Sequence, residues 1–212
     1  MNARRNRGHV ELDRPDWPSL LETVLRCNDP VVLSLHGCGA QRPPRPDLVR
    51  GLLAHPKPVL GMLEGKADGT VASVLLACDR ILWRRGGSLH LGLSGSGEMA
   101  LSILRLGHAG ASKAWFSGGK VSFRDAAASG WGARLTGDSV AAVEEALAEW
   151  ADLSDAALSL LRPLLYRQAG LPLSQAEALE RASFGLVFES GDPAEGARAF
   201  LEKRKPCFHS KV

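Results

Sequence analysis

No two cysteines in this sequence stand in C-x-x-C spacing. Cys27, Cys38, Cys78 and Cys207 are scattered through apolar and loop contexts, which points away from both a zinc site and a disulfide framework. A reducing cytoplasm is the setting that such cysteine usage suits. No apolar run is long enough to span a bilayer. Arg4, Arg5 and Arg7 are basic, but no apolar stretch follows them as it does in a signal peptide. Neither export nor a membrane partner is therefore expected. The net charge is only +3 and basic residues form no clustered patch, so nucleic acid is not an expected partner either. No internal repeat is visible.

What is present suits a globular domain. Hydrophobic residues make up 45% of the 212 and charged residues 23%, enough to build a sizeable core. The chain reads as two stretches, 1–135 alternating strand and helix and 136–212 helical, which is an α/β core followed by a helical region. In the first stretch His9–Leu12 is a short strand and Ser19–Cys27 a helix with Leu20, Leu21, Val24 and Leu25 on one stripe. The all-apolar Val31–Leu35 suits a buried parallel strand, and Asp47–Leu53 a short helix. Pro58–Leu63 is the next strand, Glu64–Val71 a Gly-bearing elbow, Val71–Cys78 a helix and Arg80–Trp83 another strand. Five glycines in Gly86–Gly97 require tight turns. Glu98–Leu106 and Ser112–Phe116 read as helical pieces, and Ser122 can cap a helix to Ser129. In the second stretch Ser139–Ala151, Asp155–Tyr166 and Ser174–Glu189 are helical, with further turns over Pro193–Lys203.

Three segments carry a family pattern. "KPVLGMLEGKADGTVASVLLACD" (57–79), "FSGGKVSFRDAAASGWGARL" (116–135) and "ESGDPAEGARAFLEKRKPCF" (189–208) stand in the order found in the crotonase, or enoyl-CoA hydratase/isomerase, superfamily, which the chain resembles. The resemblance implies a crotonase-like spiral of ββα turns with a C-terminal helical trimerisation region, and the N-terminal part looks shortened. It implies an acyl thioester of coenzyme A or of a carrier protein as substrate, a homotrimer or hexamer, and no tightly bound cofactor. The shared chemistry is stabilisation of a thioester enolate by two preorganised backbone N–H donors. By alignment one donor is the N–H of Thr70, where a helix N-terminus adds its dipole. The other is the N–H of Cys38 or Gly39, in the loop after the Val31–Leu35 strand. Phe200 and Lys203 match positions that contact the coenzyme from a neighbouring subunit, and Lys203, Arg204 and Lys205 would suit its phosphates.

The departures narrow the chemistry. Thr70-Val71 completes a triplet that is all glycine in the family. Ser73 stands where hydratases have a glutamate after the triplet, and the Arg85–Leu91 segment carries no carboxylate where they have a second. Hydration needs acid–base groups beside both the water and the alpha carbon. Three classes of function follow: a hydratase/isomerase-like enzyme, a decarboxylase of malonyl- or glutaconyl-type thioesters as in polyketide pathways, and a catalytically degenerate partner subunit. Decarboxylation needs chiefly the enolate site, since loss of carbon dioxide itself generates the enolate.

Each candidate acid–base group has a plainer reading. Glu98 is either a displaced general base or a carboxylate favoured by a helix N-terminus. Asp68 either makes an Asx turn or polarises the substrate. His36, at a strand end, can reach a pocket or be structural. His90 reads as a core or strand-edge histidine, Glu64 as a turn residue and Cys38 as a small loop residue, with no basic neighbour to activate its thiol. "PVVLSLHGCG" and "LGLSGSG" also resemble an α/β-hydrolase with Ser94 as nucleophile and His209 as its base. That pattern fails because Ser96 occupies the place of the second glycine, which the strained nucleophile turn requires.

Overall fold

The structure is a computed structural model, and it describes residues 2–6, 9–13, 22, 24, 26, 29–35 and 46–208. The chain divides into two compact units, Met1–Glu144 and Glu145–Val212. The division falls inside a helix rather than at the 135/136 boundary read from the sequence.

The first unit is built on a six-stranded sheet of β1 (Asn2–Asn6), β2 (His9–Asp13), β3 (Val31–Ser34), β4 (Val59–Leu63), β6 (Arg80–Arg84) and β9 (Gly132–Leu135), in that order across the sheet. β1 and β2 pair antiparallel; every other pair is parallel. The central strands β3 and β4 are buried along their whole length, and parallel strands covered on both faces read as unbroken apolar runs. A second, three-stranded sheet joins β5 (Lys66–Ala67), β7 (Ser88–His90) and β8 (Lys120–Val121). β5 and β8 are only two residues long and, like β1, β7 and β9, carry no sequence signal of their own.

Helix α1 (Pro46–Ala54) buries Leu48, Val49 and Leu52 and packs against α2 (Gly69–Ala77). In α2 every residue from Thr70 to Ala77 is buried. A helix apolar on all sides belongs inside a core. Gly61 on β4 makes room for it: a Cβ there would lie 2.8 Å from Leu75 Cδ2 and 3.0 Å from Cys78 Sγ. At the other end of α2, the Arg105 Nε–H donates to the Leu76 carbonyl at 2.9 Å, and Trp131 Nε1–H to the Cys78 carbonyl at 3.1 Å. These bonds satisfy carbonyls that a helix end leaves without intrahelical donors. The Asp79 carboxylate accepts the Val59 N–H at 2.7 Å and fixes the return of the chain to β4.

Helix α3 (Glu98–Phe116) runs through a kink at Gly107, whose φ of +69 is open to glycine. Gly107 is non-helical, so the span is two helical pieces meeting at a kink, the first of them ending at Leu106 as the sequence predicts. α4 (Phe123–Ala128) has Ser122 at its N-cap accepting the Asp125 N–H at 3.2 Å, as the sequence predicts.

The second unit is helical. α5 (Ser139–Ala151) leads into it, followed by α6 (Asp155–Arg167), α7 (Leu173–Glu189) and α8 (Asp192–Leu201). Ser154 caps α6, accepting from the Ala157 N–H at 3.0 Å, and its hydroxyl donates to Asp192 Oδ2 at 2.5 Å. That bond ties the starts of α6 and α8 together. Arg204 binds Glu195 through both guanidinium nitrogens, at 2.6 and 3.1 Å, and the Cys207 N–H donates to the same carboxylate at 2.9 Å. The segment after α8 is thereby folded back onto it.

Candidate active site

The elbow between β5 and α2 is formed by Asp68, Gly69 and Thr70. Gly69 has φ +50, a conformation that side chains oppose, and this lets a strand turn at once into a helix. The expected Asx turn at Asp68 does not form: its side chain makes no cap and instead pairs with Lys66 Nζ at 2.8 Å. The Asp68 carbonyl does the capping, accepting the N–H groups of Val71 at 3.1 Å and Ala72 at 3.5 Å. Thr70 is buried at the first turn of α2, so its N–H lies in the positive end of the helix dipole.

Glu98 is the first residue of α3 and is 1% exposed. Its two oxygens receive different partners. Oε1 accepts the Ser73 hydroxyl at 2.6 Å and the Ser94 hydroxyl at close range. Oε2 accepts the backbone N–H of Ser94 at 3.4 Å and of Ser96 at 3.2 Å. Burial alone pushes the carboxyl pKa up, but the hydroxyls of Ser73 and Ser94 and the backbone donors together hold it below its ordinary value. The group is therefore ionised at neutral pH, with its lone pairs occupied. Ser73 sits one turn along α2 from Gly69, and its hydroxyl also lies 3.1 Å from the Gly69 carbonyl. A single carboxylate thus links Ser73, one turn into α2, to the loop that precedes α3.

Of the other expected site residues, Phe200 lies in α8 and Lys203 just beyond it, both in the second unit and both exposed. Arg204 is committed to Glu195 and Glu202, and Lys205 to Asp152. Among the described residues Lys203 alone of the three has no carboxylate partner. Glu64 holds Arg84 at 2.8 Å, and His90 lies half-buried in β7, opposite Lys120. His36, Cys38 and Gly39 fall outside the described residues, as does His209. Ser94, the nucleophile of the hydrolase reading, sits in the loop between β7 and α3 with its hydroxyl on Glu98 and Ser96. Among the described residues no trio of His, Cys, Asp or Glu side chains could hold a metal ion, and no helix is long and apolar enough to cross a membrane. The partners of Glu98 escape sequence reasoning for different reasons. Ser94 and Ser96 precede it by four and two residues, a local pattern open to inspection, but Ser73 is 25 positions away.

An elbow of this kind, at a buried helix N-terminus behind a parallel sheet, is what the three sequence motifs imply. The enoyl-CoA hydratase/isomerase family profile matches residues 39–211. The chain belongs to that family. It is 30% identical over 173 residues to a probable enoyl-CoA hydratase of Bacillus subtilis (strain 168), a match covering 76% of this chain and 66% of that protein. It is 30% identical over 169 residues, with the same coverage, to a putative enoyl-CoA hydratase of Thermus thermophilus. The matched stretch thus spans a little under two thirds of these relatives. Among solved structures, an enoyl-CoA hydratase from Polaromonas sp. JS666 superimposes with a TM-score of 0.82 at 18% identity, covering 98% of this chain and 99% of that one. A putative enoyl-CoA hydratase from Streptomyces coelicolor A3(2) gives 0.81 at 20% identity, covering 99% and 94%. At these identities the structural likeness establishes the crotonase fold. Family membership rests on the profile and the sequence relatives.

Proposed function

We propose that this protein is a hydratase/isomerase-like enzyme acting on an acyl thioester of coenzyme A or of a carrier protein, and that it works by holding the thioester carbonyl in an oxyanion hole. The Thr70 N–H is one donor, and the N–H of Cys38 or Gly39 is assigned as the other from the sequence. The observation that carries this reading is the elbow: a positive-φ glycine followed by a buried residue at a helix N-terminus, within a chain of this family. Two fixed amides lower the energy of the enolate oxygen because they are oriented before charge develops there.

One observation favours decarboxylation of a malonyl- or glutaconyl-type thioester within this class. The described acid–base candidates are both engaged, Asp68 by Lys66 and Glu98 by four donors. A reaction that needs the oxyanion donors but no proton-abstracting carboxylate suits such a site. Phe200 and Lys203 are assigned to the coenzyme of a neighbouring subunit in a homotrimer or hexamer, Lys203 through a phosphate.

Incubation with crotonyl-CoA and with methylmalonyl- and glutaconyl-thioesters tests the reading. Water addition supports the hydratase and carbon dioxide release the decarboxylase. Binding without turnover contradicts both and leaves a partner subunit.

A further inference from the structure

We propose that Glu98 is a positioning residue, and not the proton-transfer base: its carboxylate braces α2, through Ser73 one turn in, against the Ser94–Gly97 loop and so holds the Thr70 amide in place. The inference rests on the oxyanion reading above, but its geometry stands independently. Ser73 at 0%, Glu98 at 1% and Ser96 at 9% exposed form one buried group around a single anion, and Thr70, three residues before Ser73 on α2, is 2% exposed. Among the described residues the hydrogen bonds to the Glu98 carboxylate come from hydroxyls and backbone amides, and no basic side chain forms an ion pair with it. The Ser94–Gly97 loop turns on two glycines at positive φ, Gly95 at +85 and Gly97 at +87, a conformation that side chains rarely adopt. Its amides are gathered by Glu98, and α3 starts from the same point. A base needs a free lone pair and enough basicity to take a proton, whereas this carboxylate already accepts four hydrogen bonds, and its pKa is held below the ordinary value.

The division of partners between the two oxygens makes a specific test. Both groups on Oε2 are backbone N–H donors, which cannot reverse. Both on Oε1 are hydroxyls, which can. In Glu98→Gln the amide oxygen takes the place of Oε2 and the NH₂ faces the hydroxyls. Each hydroxyl then accepts from the NH₂ and turns its own proton to another oxygen: Ser73 to the Gly69 carbonyl at 3.1 Å, Ser94 to the Ser96 hydroxyl at 3.4 Å. The isostere therefore keeps the brace, and only removal of the side chain breaks it.

The experiment compares wild type, Glu98→Gln and Glu98→Ala by steady-state kinetics on the thioester panel and by amide hydrogen exchange. Glu98→Gln is expected to keep kcat within about 5-fold, with the wild-type pH profile. Glu98→Ala is expected to lower kcat on the order of 10–100-fold with KM within about 3-fold, since the lost interaction acts through an oxyanion donor. Exchange in Glu98→Ala should quicken at residues 69–73 and 94–97 and stay unchanged in β4 and β6. A loss in Glu98→Gln of more than roughly 100-fold, with exchange unaltered, would mark Glu98 as the base and overturn the proposal. Unaltered exchange at the elbow in Glu98→Ala would overturn it equally. If wild type turned over no thioester while exchange at the elbow still quickened in Glu98→Ala, the functional reading would fall and the brace would stand.

Discussion

Helices α2 and α7 both carry large apolar side chains, and those side chains have opposite fates. Thr70–Ala77 of α2 is wholly buried, while no residue of α7 is buried. Leu173, Phe184, Leu186 and Phe188 of α7 are all more than half exposed. The first helix spends its apolar surface on its own core and in return offers a rigid N-terminus on which a main-chain amide can be held. The second has apolar side chains that its own unit does not cover, the composition expected of a helix that meets other copies of the chain. The elbow and Glu98 thus belong to the first unit, and the proposed homo-oligomer would draw on the exposed apolar side chains of the second.

The contrast can be broken most severely at Leu75. Leu75→Ala opens a cavity beside Gly61 in the centre of the first core and should cost about 3 kcal/mol in denaturant unfolding, against under about 0.5 kcal/mol for Leu173→Ala on α7. Thr70→Pro removes one amide at a first-turn position where proline is tolerated. It should lower kcat by about 100-fold or more, with circular dichroism showing an intact fold. Phe184→Glu with Phe188→Glu should leave far-ultraviolet circular dichroism unchanged while reducing the mass seen by light scattering towards that of one chain. The smallest effect lies at Glu195, whose carboxyl is pulled down to about 2, first by the Arg204 hydrogen bonds and then by the Cys207 N–H. A carboxyl depressed below its unfolded value of 4.5 adds stability that is present above that pH and lost as pH falls toward 2. Glu195→Gln should therefore be slightly less stable than wild type at neutral pH, with the two converging as pH falls through that interval in acid titration.

Much of the fold was legible because its signals are local. Val31–Ser34 and Val59–Leu63 announce buried parallel strands by unbroken apolar runs, and the Ser122 cap by its place before Phe123–Ala128. β5, β7 and β8 were not, because a two- or three-residue strand exists only through distant pairing, Lys66 with Ser88 and Leu89 with Val121. The position of the elbow was legible from its glycine and its neighbours in the family motif. Its internal bonding was not. The sequence offers Asp68 as a side-chain cap, where the structure pairs it with Lys66, and it offers Glu98 as a base or a helix-start carboxylate without showing Ser73, which comes from a different helix.

The central claim is that the amide of Thr70 polarises the carbonyl of a thioester. It is tested most directly by infrared difference spectroscopy of a carbonyl-labelled, unreactive acyl-CoA bound to wild type and to Thr70→Pro. The account predicts a carbonyl stretch moved to lower frequency on binding wild type, with much of that shift missing in the variant although the ligand still binds. An equal shift in both proteins would contradict it.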